Sequence, residues 1–306
     1  MLAEIFKADP ESGSIELLPS LCSECVHRST TSLTKCEAFP EGIPLVVLVG
    51  AWDHHQSYQG ESITFDPKEV MKGEGPGHPF RGNQWTKVGG QLGSNAGGIY
   101  MHQGEKHYVK FPDDPGQVRS EQAADEVYSL MGVQTMQHKA QTIDGVLGSV
   151  SKWKNVDILG HDGWRKLDYR QKQQAANAFV ASALTKNWDV VGLTYDNMGK
   201  DKNGNLAILD TGGSFNFRAQ GGHKHFGTDA EVELYNMLDP VKTSGRVFGP
   251  LMKANPEVFI KAARRLKMVP DVKLRSIVIK SGMHNADKNA EAILERKRAI
   301  ISVFGI

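Results

Sequence analysis

The chain has 306 residues, of which 40% are apolar and 23% charged, as in ordinary globular proteins. This length suffices for one large or two ordinary domains. With 36 Lys and Arg against 35 Asp and Glu, charge gives no reason to expect a specific nucleic acid or a membrane surface as partner. No run approaches the roughly 18 apolar residues of a membrane-spanning helix. The N-terminus lacks a basic region followed by an apolar one, so the sequence predicts a cytoplasmic protein.

All the cysteines, Cys22, Cys25 and Cys36, fall within the first 36 residues. An odd, clustered set suits a metal site or free thiols better than a disulfide framework. A Cys-x2-Cys turn supplies two thiolates, and Cys36 with one histidine would complete a tetrahedral zinc shell. His54 is the predicted fourth ligand, since His27 is too close to Cys25 to bind the same ion. The alternative, three reduced structural cysteines, stays open.

The first 66 residues are predicted to form a small unit of their own. The tract Cys-Glu-Ala-Phe-Pro-Glu-Gly-Ile-Pro at 36–44, followed by Asp-His and a Gly-x-x-Ile-x-Phe ending, resembles a small cysteine-containing module of phage and prophage proteins. Residues 67–88 are dense in Gly and Pro and are predicted to be a linker. Their Gly-His-Pro-Phe-Arg-Gly-Asn-Gln-Trp segment is similar to short tracts in phage head-associated proteins. The resemblance implies a phage or prophage gene, with phage structural proteins as partners.

A glycine-rich loop is predicted at 89–98. Glycines let backbone N–H groups approach phosphate oxygens closely. The predicted phosphate-contacting residues are Gly93, Ser94, Asn95, Gly97 and Gly98. Two strands follow, at 99–102 and 107–111, and the second carries Lys110, a cation that could reach nucleotide phosphates. Taken singly, a lysine on a strand is more often a solvated edge charge.

A helix is predicted to follow, with Asp114 as N-cap, Pro115 at its first position and Gly132 at its end. Glu121 and Glu126 flank its apolar face, and either could pair with Lys110. Periodicity does not choose between them.

The stretch 183–213 contains three further oxygen-bearing candidates. A helix over 167–186 is predicted to present Asp189 at its C-terminal end. A hairpin with its turn at 201–205 would bring Asn197 near Asp210. One carboxylate to orient an attacking hydroxyl, with an amide and a second carboxylate to hold Mg²⁺, is a common phosphoryl-transfer site.

The remaining predictions concern packing. Strands are predicted between 133 and 153, with Trp153 in the core rather than in an adenine pocket. Helices are predicted at 231–238, 255–266 and 288–301. Their basic residues are predicted to lie on solvated faces: Arg264, Arg265, Lys267, Arg296, Lys297 and Arg298. The glycine-rich segment 211–227 is predicted either to lie against substrate and move on binding, or to form a long surface loop.

Together these motifs resemble a divergent protein-kinase-like domain, closest to the HipA-like and phosphoinositide-kinase-like families and to a phage-associated branch. The resemblance covers residues 89–306. It implies an α+β, two-lobed kinase-like fold, with a small β-rich lobe at 89–152 and a larger helical lobe at 153–306. The departures are Asn-Trp-Asp for His-Arg-Asp, Asp-Thr-Gly-Gly for Asp-Phe-Gly, and a longer interval from Asp189 to Asn197. The longer interval makes Asp196 an alternative to Asn197.

The resemblance also implies roles. Lys110 would contact ATP phosphates, Glu121 would orient Lys110, and Asp189 would orient the acceptor hydroxyl. Asn197 and Asp210 would hold Mg²⁺. The implied function is an ATP- and Mg²⁺-dependent phosphotransferase acting on a protein or another hydroxyl acceptor, in the host cytoplasm or on the virion. The alternatives are a nucleotide-binding pseudokinase that serves as a structural or interaction protein of the phage particle, and an adenylyltransferase on the same fold.

Overall fold

The computed structural model describes residues 36–37, 39–41, 85–92 and 95–306. The chain divides into two compact units, residues 1–80 and 81–306. Within the described residues, the helices and strands named below belong to the second unit. None of the helices in these described ranges is long and apolar enough to cross a membrane.

The described strands and helices are numbered in chain order. The strands are β1 (Thr86–Gly89), β2 (Ala96–His102), β3 (Glu105–Phe111), β4 (Gln134–Thr135), β5 (Lys139–Ile143), β6 (Val146–Lys152), β7 (Asp157–Ile158), β8 (Met198–Lys200) and β9 (Leu206–Ile208). The helices are α1 (Pro115–Leu130), α2 (Gly160–Trp164), α3 (Tyr169–Thr185), α4 (Ala230–Asn236), α5 (Thr243–Ala254), α6 (Pro256–Met268), α7 (Asp271–Ser281) and α8 (Ala286–Val303).

A sheet-rich lobe comes first and a helical lobe follows, as predicted. The first lobe contains an antiparallel sheet in the order β1-β2-β3-β6-β5. Val109, Ile143 and Val150 form a small apolar core on this sheet. A second sheet, in the order β4-β9-β8-β7, lies at the start of the larger lobe. The predicted α+β class with two lobes is therefore confirmed for the described part of the second unit.

Helix α1 begins and ends where the sequence indicated. The Asp114 side chain accepts a hydrogen bond from the N–H of Gly116 at 2.6 Å, and Pro115 takes the first helical position. Gly132, in the left-handed region at φ +67°, follows the C-cap. The buried face of α1, which includes Val127 and Tyr128, packs into the main core of the larger lobe.

Helix α3 is the central helix of that core. Asp168 and Gln171 form a capping box at its N-terminus, a pairing that satisfies two otherwise unpaired N–H groups. From Ala175 to Thr185 every side chain is buried. Lys186, in the left-handed conformation at φ 59°, ends the helix, so the chain leaves its C-terminus in a fixed direction.

The predicted hairpin is strands β8 and β9. The Asp201 carboxylate accepts hydrogen bonds from the N–H groups of Asn203 at 2.8 Å and Asn205 at 2.9 Å, which closes the turn. At the other end of the hairpin, the N–H of Leu209 donates to the carbonyl of Asn197 at 2.9 Å. Asn197 and the residue after Leu209, Asp210, therefore lie at the same end of the hairpin.

The structure corrects the prediction of solvated basic residues at two positions. Arg296 is fully buried and Lys297 is 8% exposed, whereas the other predicted basic positions are exposed. Arg296 donates hydrogen bonds to the carbonyls of Ala183 and Leu184, at the C-terminal end of α3, and of Gly227. Helical periodicity assigns charged residues to the solvent-exposed face. It cannot show that unpaired carbonyl groups at the end of another helix need a hydrogen-bond donor.

The surface-loop interpretation of the segment after Asp210 is wrong for its first part. Residues 211–215 are all buried, and so are Phe217 and Phe226. The N–H of Phe215 donates to the carbonyl of Thr185 at 2.7 Å, which fixes the segment against the end of α3. Phenylalanines within a glycine-rich tract provide the packing that glycines lack.

Three helices, α2, α5 and α7, were not predicted from the sequence. Helix α2 is a single short turn over Gly160–Trp164. Helix α5 contains Gly245, Gly249 and Pro250, which are poor helix formers, so helix propensity argues against a helix in this stretch. Gly245 is also tightly packed, since a Cβ there would lie 1.8 Å from the carbonyl oxygen of Asp239.

Candidate active site

Lys110 on β3 is a buried cation shared by two carboxylates. Its Nζ donates to Oε1 of Glu121 on α1, and to Oδ1 of Asp210 at 3.3 Å. Burial would lower the pKa of Lys110, but the charges of Asp210 and Glu121 outweigh burial and raise it. The interpretation as a solvated edge charge is therefore wrong. Glu126, the other candidate partner, is exposed.

A buried polar network holds Glu121 in place. Ser149 on β6 donates to its second carboxylate oxygen, and Nε2 of His138 lies 3.6 Å from Oε1. Nδ1 of His138 lies 2.9 Å from Asp125, which also accepts from the hydroxyl of Thr211 at 2.7 Å. Burial lowers the pKa of His138, but Glu121 and Asp125 outweigh it and the pKa is raised. The orientation of Glu121 is thus fixed from β6, from the loop before β5 and, through Asp125, from the segment after Asp210.

Asp189 lies three residues after the C-cap of α3, on a short anchored loop. The side-chain oxygen of Asn187 accepts from the N–H of Asp189 at 3.1 Å. The Asn187 amide donates to the hydroxyl of Tyr128 at 3.1 Å, and that hydroxyl lies 2.7 Å from the hydroxyl of Ser182. The loop is therefore tied to buried groups on both α1 and α3.

The environment of Asp189 suits a proton acceptor. Burial raises the pKa of Asp189 to about 6, with a further rise from the charge of Asp210 and an opposing effect from the hydrogen bond of Asn197. A carboxylate whose pKa is near the working pH is a more effective general base than an ordinary one.

Asn197 and Asp210 present free oxygens to the cleft. The Asn197 amide nitrogen donates to the carbonyl of Asp189 at 2.6 Å and to its carboxylate at 3.1 Å, which leaves the amide oxygen available. Oδ1 of Asp210 accepts from Lys110 and from the N–H of Gly212 at 2.7 Å. Within the described residues no donor reaches Oδ2. Burial raises the pKa of Asp210, but Lys110, Gly212 and His138 outweigh it and lower the pKa, so the group is an anion.

These residues fit a magnesium ion that shares its shell with phosphate oxygens. Mg²⁺ prefers one or two protein oxygens together with substrate phosphates and waters. Among the described residues no group of three or more His, Cys, Asp or Glu could hold a metal by itself. Asp196, the alternative to Asn197, is exposed and lines the same cleft, so both remain candidates.

A cleft of about 700 Å³ opens onto Lys110, Asn197 and Asp210. Its apolar lining includes Met136, Val156, Ile158 and Leu209, together with the ring of Trp153. Trp153 is half-buried and faces the cleft, so its predicted place in the core is wrong. A cleft of this size, lined by apolar side chains together with polar and charged ones, is typical of small-ligand and nucleotide sites.

The glycine-rich tract differs from the predicted loop. Gly93 and Ser94 lie outside the described residues, and Asn95 lines the cleft. Gly97 and Gly98 belong to strand β2, where Gly97 pairs with Lys110. A Cβ on Gly97 would lie 2.0 Å from the carbonyl oxygen of Val109, so glycine here allows the two strands to approach.

The predicted zinc ligands Cys22, Cys25 and His54 lie outside the described residues. Cys36 is described and its thiol is free. The zinc site stays a prediction.

No protein-family model matches the chain, and no curated protein matches it. Among solved structures, the chain is similar to a Helicobacter pylori proinflammatory kinase, CtkA, with 16% sequence identity and a TM-score of 0.49. That similarity covers 72% of this chain and 94% of the other. A similarity this low supports no function, so any function proposed for this chain depends on the geometry of its own residues.

Sequence reasoning missed several residues that shape the site. His138 is a lone histidine before β5, and Thr211 stands in a glycine-rich tract, so neither has a pattern that marks it. Asn187 lies two residues before Asp189, at a helix end where a polar side chain often caps the backbone, which is a usable but weak signal.

Proposed function

We propose that the chain is an ATP- and Mg²⁺-dependent phosphotransferase of atypical protein-kinase-like type that acts on a hydroxyl group of a protein or another molecule. The observation that carries the proposal is the buried Lys110, which bonds Glu121 on a helix and Asp210 at the end of a hairpin, at the base of an open cleft. A phage or prophage origin rests only on the resemblance of the N-terminal tracts.

The residues divide the chemistry between them. Lys110 offers its charge to the phosphate oxygens of ATP, held in position by Glu121. Asn197, or Asp196, and Asp210 would hold Mg²⁺, which neutralises charge on the phosphates when bound. Asp189 accepts the proton of the acceptor hydroxyl as the new oxygen–phosphorus bond forms and the bond between the γ-phosphorus and ADP breaks. Holding these groups in line supplies most of the rate enhancement in this class of reaction.

Incubation of the purified full chain with ATP labelled at the γ or the α phosphate, with Mg²⁺, tests the proposal. The matched variants are Asp189→Ala and Asp210→Ala, with Asp162→Ala as an exposed control. Autophosphorylation, transfer to generic protein substrates and release of labelled phosphate are measured together, so that any hydroxyl acceptor, including water, is detected.

We expect label transfer or release from the γ position only, lost in both site variants and retained in Asp162→Ala. Label transferred from the α position would instead indicate an adenylyltransferase. ATP binding without transfer from either position, in every protein, would indicate a pseudokinase and would overturn the proposal.

A further inference from the structure

The ammonium group of Lys224 bonds two separate stretches of backbone. Its Nζ donates to the carbonyl of Lys186 at 2.5 Å and to the carbonyl of Gly213 at 2.6 Å. The backbone N–H of Lys224 donates to Asn216 at 2.8 Å, which fixes the start of its own side chain. The ammonium is thus held by neutral oxygens.

Each of these carbonyl groups lies close in sequence to a candidate catalytic or metal-binding residue. Lys186 is the C-cap of α3, three residues before Asp189. Gly213 lies three residues after Asp210, in the buried part of the following segment. One side chain therefore spans the loop that bears the candidate base and the segment that bears the candidate metal ligand.

The rest of the surroundings provide little charge compensation. The ammonium lies 4.7 Å from the centre of the Trp188 ring, a contact that attracts a cation. The carboxylate of Glu233, whose charge acts on Lys224, already pairs with Lys186 at 3.2 Å and lies 3.9 Å from Arg296. No salt bridge to Lys224 is present among the described residues.

This arrangement is costly for a lysine. Burial lowers the pKa of Lys224 to about 7; Glu233 opposes the change, and the cations Lys186, Arg296 and Arg218 add to it. A half-buried ammonium held by neutral oxygens rather than by a carboxylate lowers stability, so its presence beside a site suggests a functional reason.

We propose that Lys224 is a positioning residue for phosphoryl transfer, which sets the distance between the loop of Asp189 and the segment of Asp210 by donating to Lys186 and Gly213. The inference rests on the proposed function. Lys224 forms no hydrogen bond or salt bridge with Asp189 or Asp210, although its charge lowers the pKa of Asp189. Its donated hydrogen bonds act through the backbone on either side of the site.

The test compares Lys224→Met, which keeps the apolar stem and removes the donors, with Lys224→Arg, which restores donors. Arg218→Met is the matched control, because Arg218 also stacks on Trp188, at 6.0 Å, but is exposed and its guanidinium donates to neither segment. Two measurements are made on the full chain: kcat and KM for ATP, and amide hydrogen exchange without nucleotide.

We expect Lys224→Met to lower kcat by roughly 10- to 100-fold, the scale of a misplacement of about 1 Å, with KM for ATP changed by less than about 2-fold. Exchange at residues 187–191 and 213–217 should rise together in this variant. Lys224→Arg should recover part of both, and Arg218→Met should match the wild type.

An unchanged kcat and unchanged exchange in folded Lys224→Met would overturn the inference, as would a rise in KM alone, which would indicate a ligand contact. If Lys224→Met does not fold, Lys224→Gln replaces it with the same expectations. Should the wild type transfer no phosphoryl group, the proposed function fails, while the exchange data still decide whether Lys224 joins the two segments.

Discussion

The pairing of Lys110 with Glu121, and with no other acidic residue of α1, gives a prediction at the level of single side chains. We expect Glu121→Gln to reduce kcat for phosphoryl transfer by about 10- to 100-fold, because Lys110 would turn toward Asp210 and leave its position. The variant should also lose about 1–3 kcal/mol in the free energy of unfolding, since Ser149 and Lys110 would then donate to a neutral amide instead of a carboxylate.

The control is Glu126→Gln, on the same helix but exposed. It removes the same charge without touching the network, and it should retain wild-type kcat and stability. Equal losses in the two variants, measured by steady-state kinetics and urea unfolding, would mean that helix charge rather than the buried pair matters.

The buried carboxylate of Asp189 should lower the free energy of unfolding at neutral pH. The pKa of Asp189 is raised from 3.8 to about 6 by burial, and by the charge of Asp210. Folding therefore takes up a proton between about pH 4 and pH 6, and the stability that this provides is lost as the pH rises through 6. Asp189→Asn removes this dependence. In metal-free buffer at pH 7.5 it should unfold with a free energy up to about 3 kcal/mol higher than the wild type.

That difference should shrink toward zero as the pH falls to about 4. Asp144→Asn is the control, since Asp144 is exposed in a left-handed turn position that Asn also tolerates. Urea unfolding across the pH range measures both variants. A gap between Asp189→Asn and the wild type that does not depend on pH would count against the raised pKa.

At the scale of elements, the C-terminal end of α3 depends on a residue from another helix. Arg296 of α8 donates to the last carbonyls of α3, which have no partner within that helix. We expect Arg296→Met to lower the free energy of unfolding by about 3 kcal/mol or more, because the carbonyls lose a buried donor and the buried carboxylate of Glu233 loses a nearby cation.

Arg298→Met, on the same helix, removes an exposed guanidinium that, in the described part of the chain, pairs with Glu295. It should change stability by less than about 0.5 kcal/mol. Chemical unfolding of both variants beside the wild type provides the measurement. A loss in Arg296→Met no larger than in Arg298→Met would show that the end of α3 is held by other contacts.

Elements with local signals were the ones predictable from the sequence. The capping pair Asp114 and Pro115, the turn at 201–205 and the apolar stripe of α3 each have a signature within a few residues. The order of the candidate residues predicted that Lys110, Asp189, Asn197 and Asp210 belong together. The sequence did not predict that Gly97 and Gly98 lie in a strand. A run of glycines does not show whether it forms a loop or allows a neighbouring strand to approach closely.

Contacts between residues far apart in the chain could not be predicted from the sequence. The burial of Arg296 depends on carbonyls more than 100 residues away. His138 is assigned to the network only once α1 and the loop before β5 are packed together. Such contacts have no spacing rule, because tertiary packing brings the partners together.

At the scale of the whole second unit, the cleft should bind nucleotide together with metal. Lys110 is one cation shared by two carboxylates. Without a metal ion, the negative charge of Asp210 would therefore repel the nucleotide phosphates. We expect ATP with Mg²⁺ at about 100 times Kd to stabilise the protein by about 2.7 kcal/mol, a rise in Tm of several degrees. Removal of Mg²⁺ with EDTA should abolish most of that rise.

Asp210→Asn should bind ATP with little dependence on Mg²⁺, because the variant loses an anion that both repels phosphate and attracts metal. Differential scanning fluorimetry with and without EDTA gives the comparison. An equal Tm rise for ATP in both buffers with the wild type would contradict the assignment of Asp210 as a metal ligand.

The packing of α1 has a consequence for motion. Its buried face, with Val127 and Tyr128, belongs to the same apolar core as α3, whereas the antiparallel sheet has a small core of its own around Val109. Helix α1 also packs on β5 and β6, and Ser149 of β6 donates to Glu121, so α1 joins the sheet to the larger lobe. The contact between Lys110 on the sheet and Glu121 on α1 lies at this junction, so loosening of either core should disturb the same ion pair.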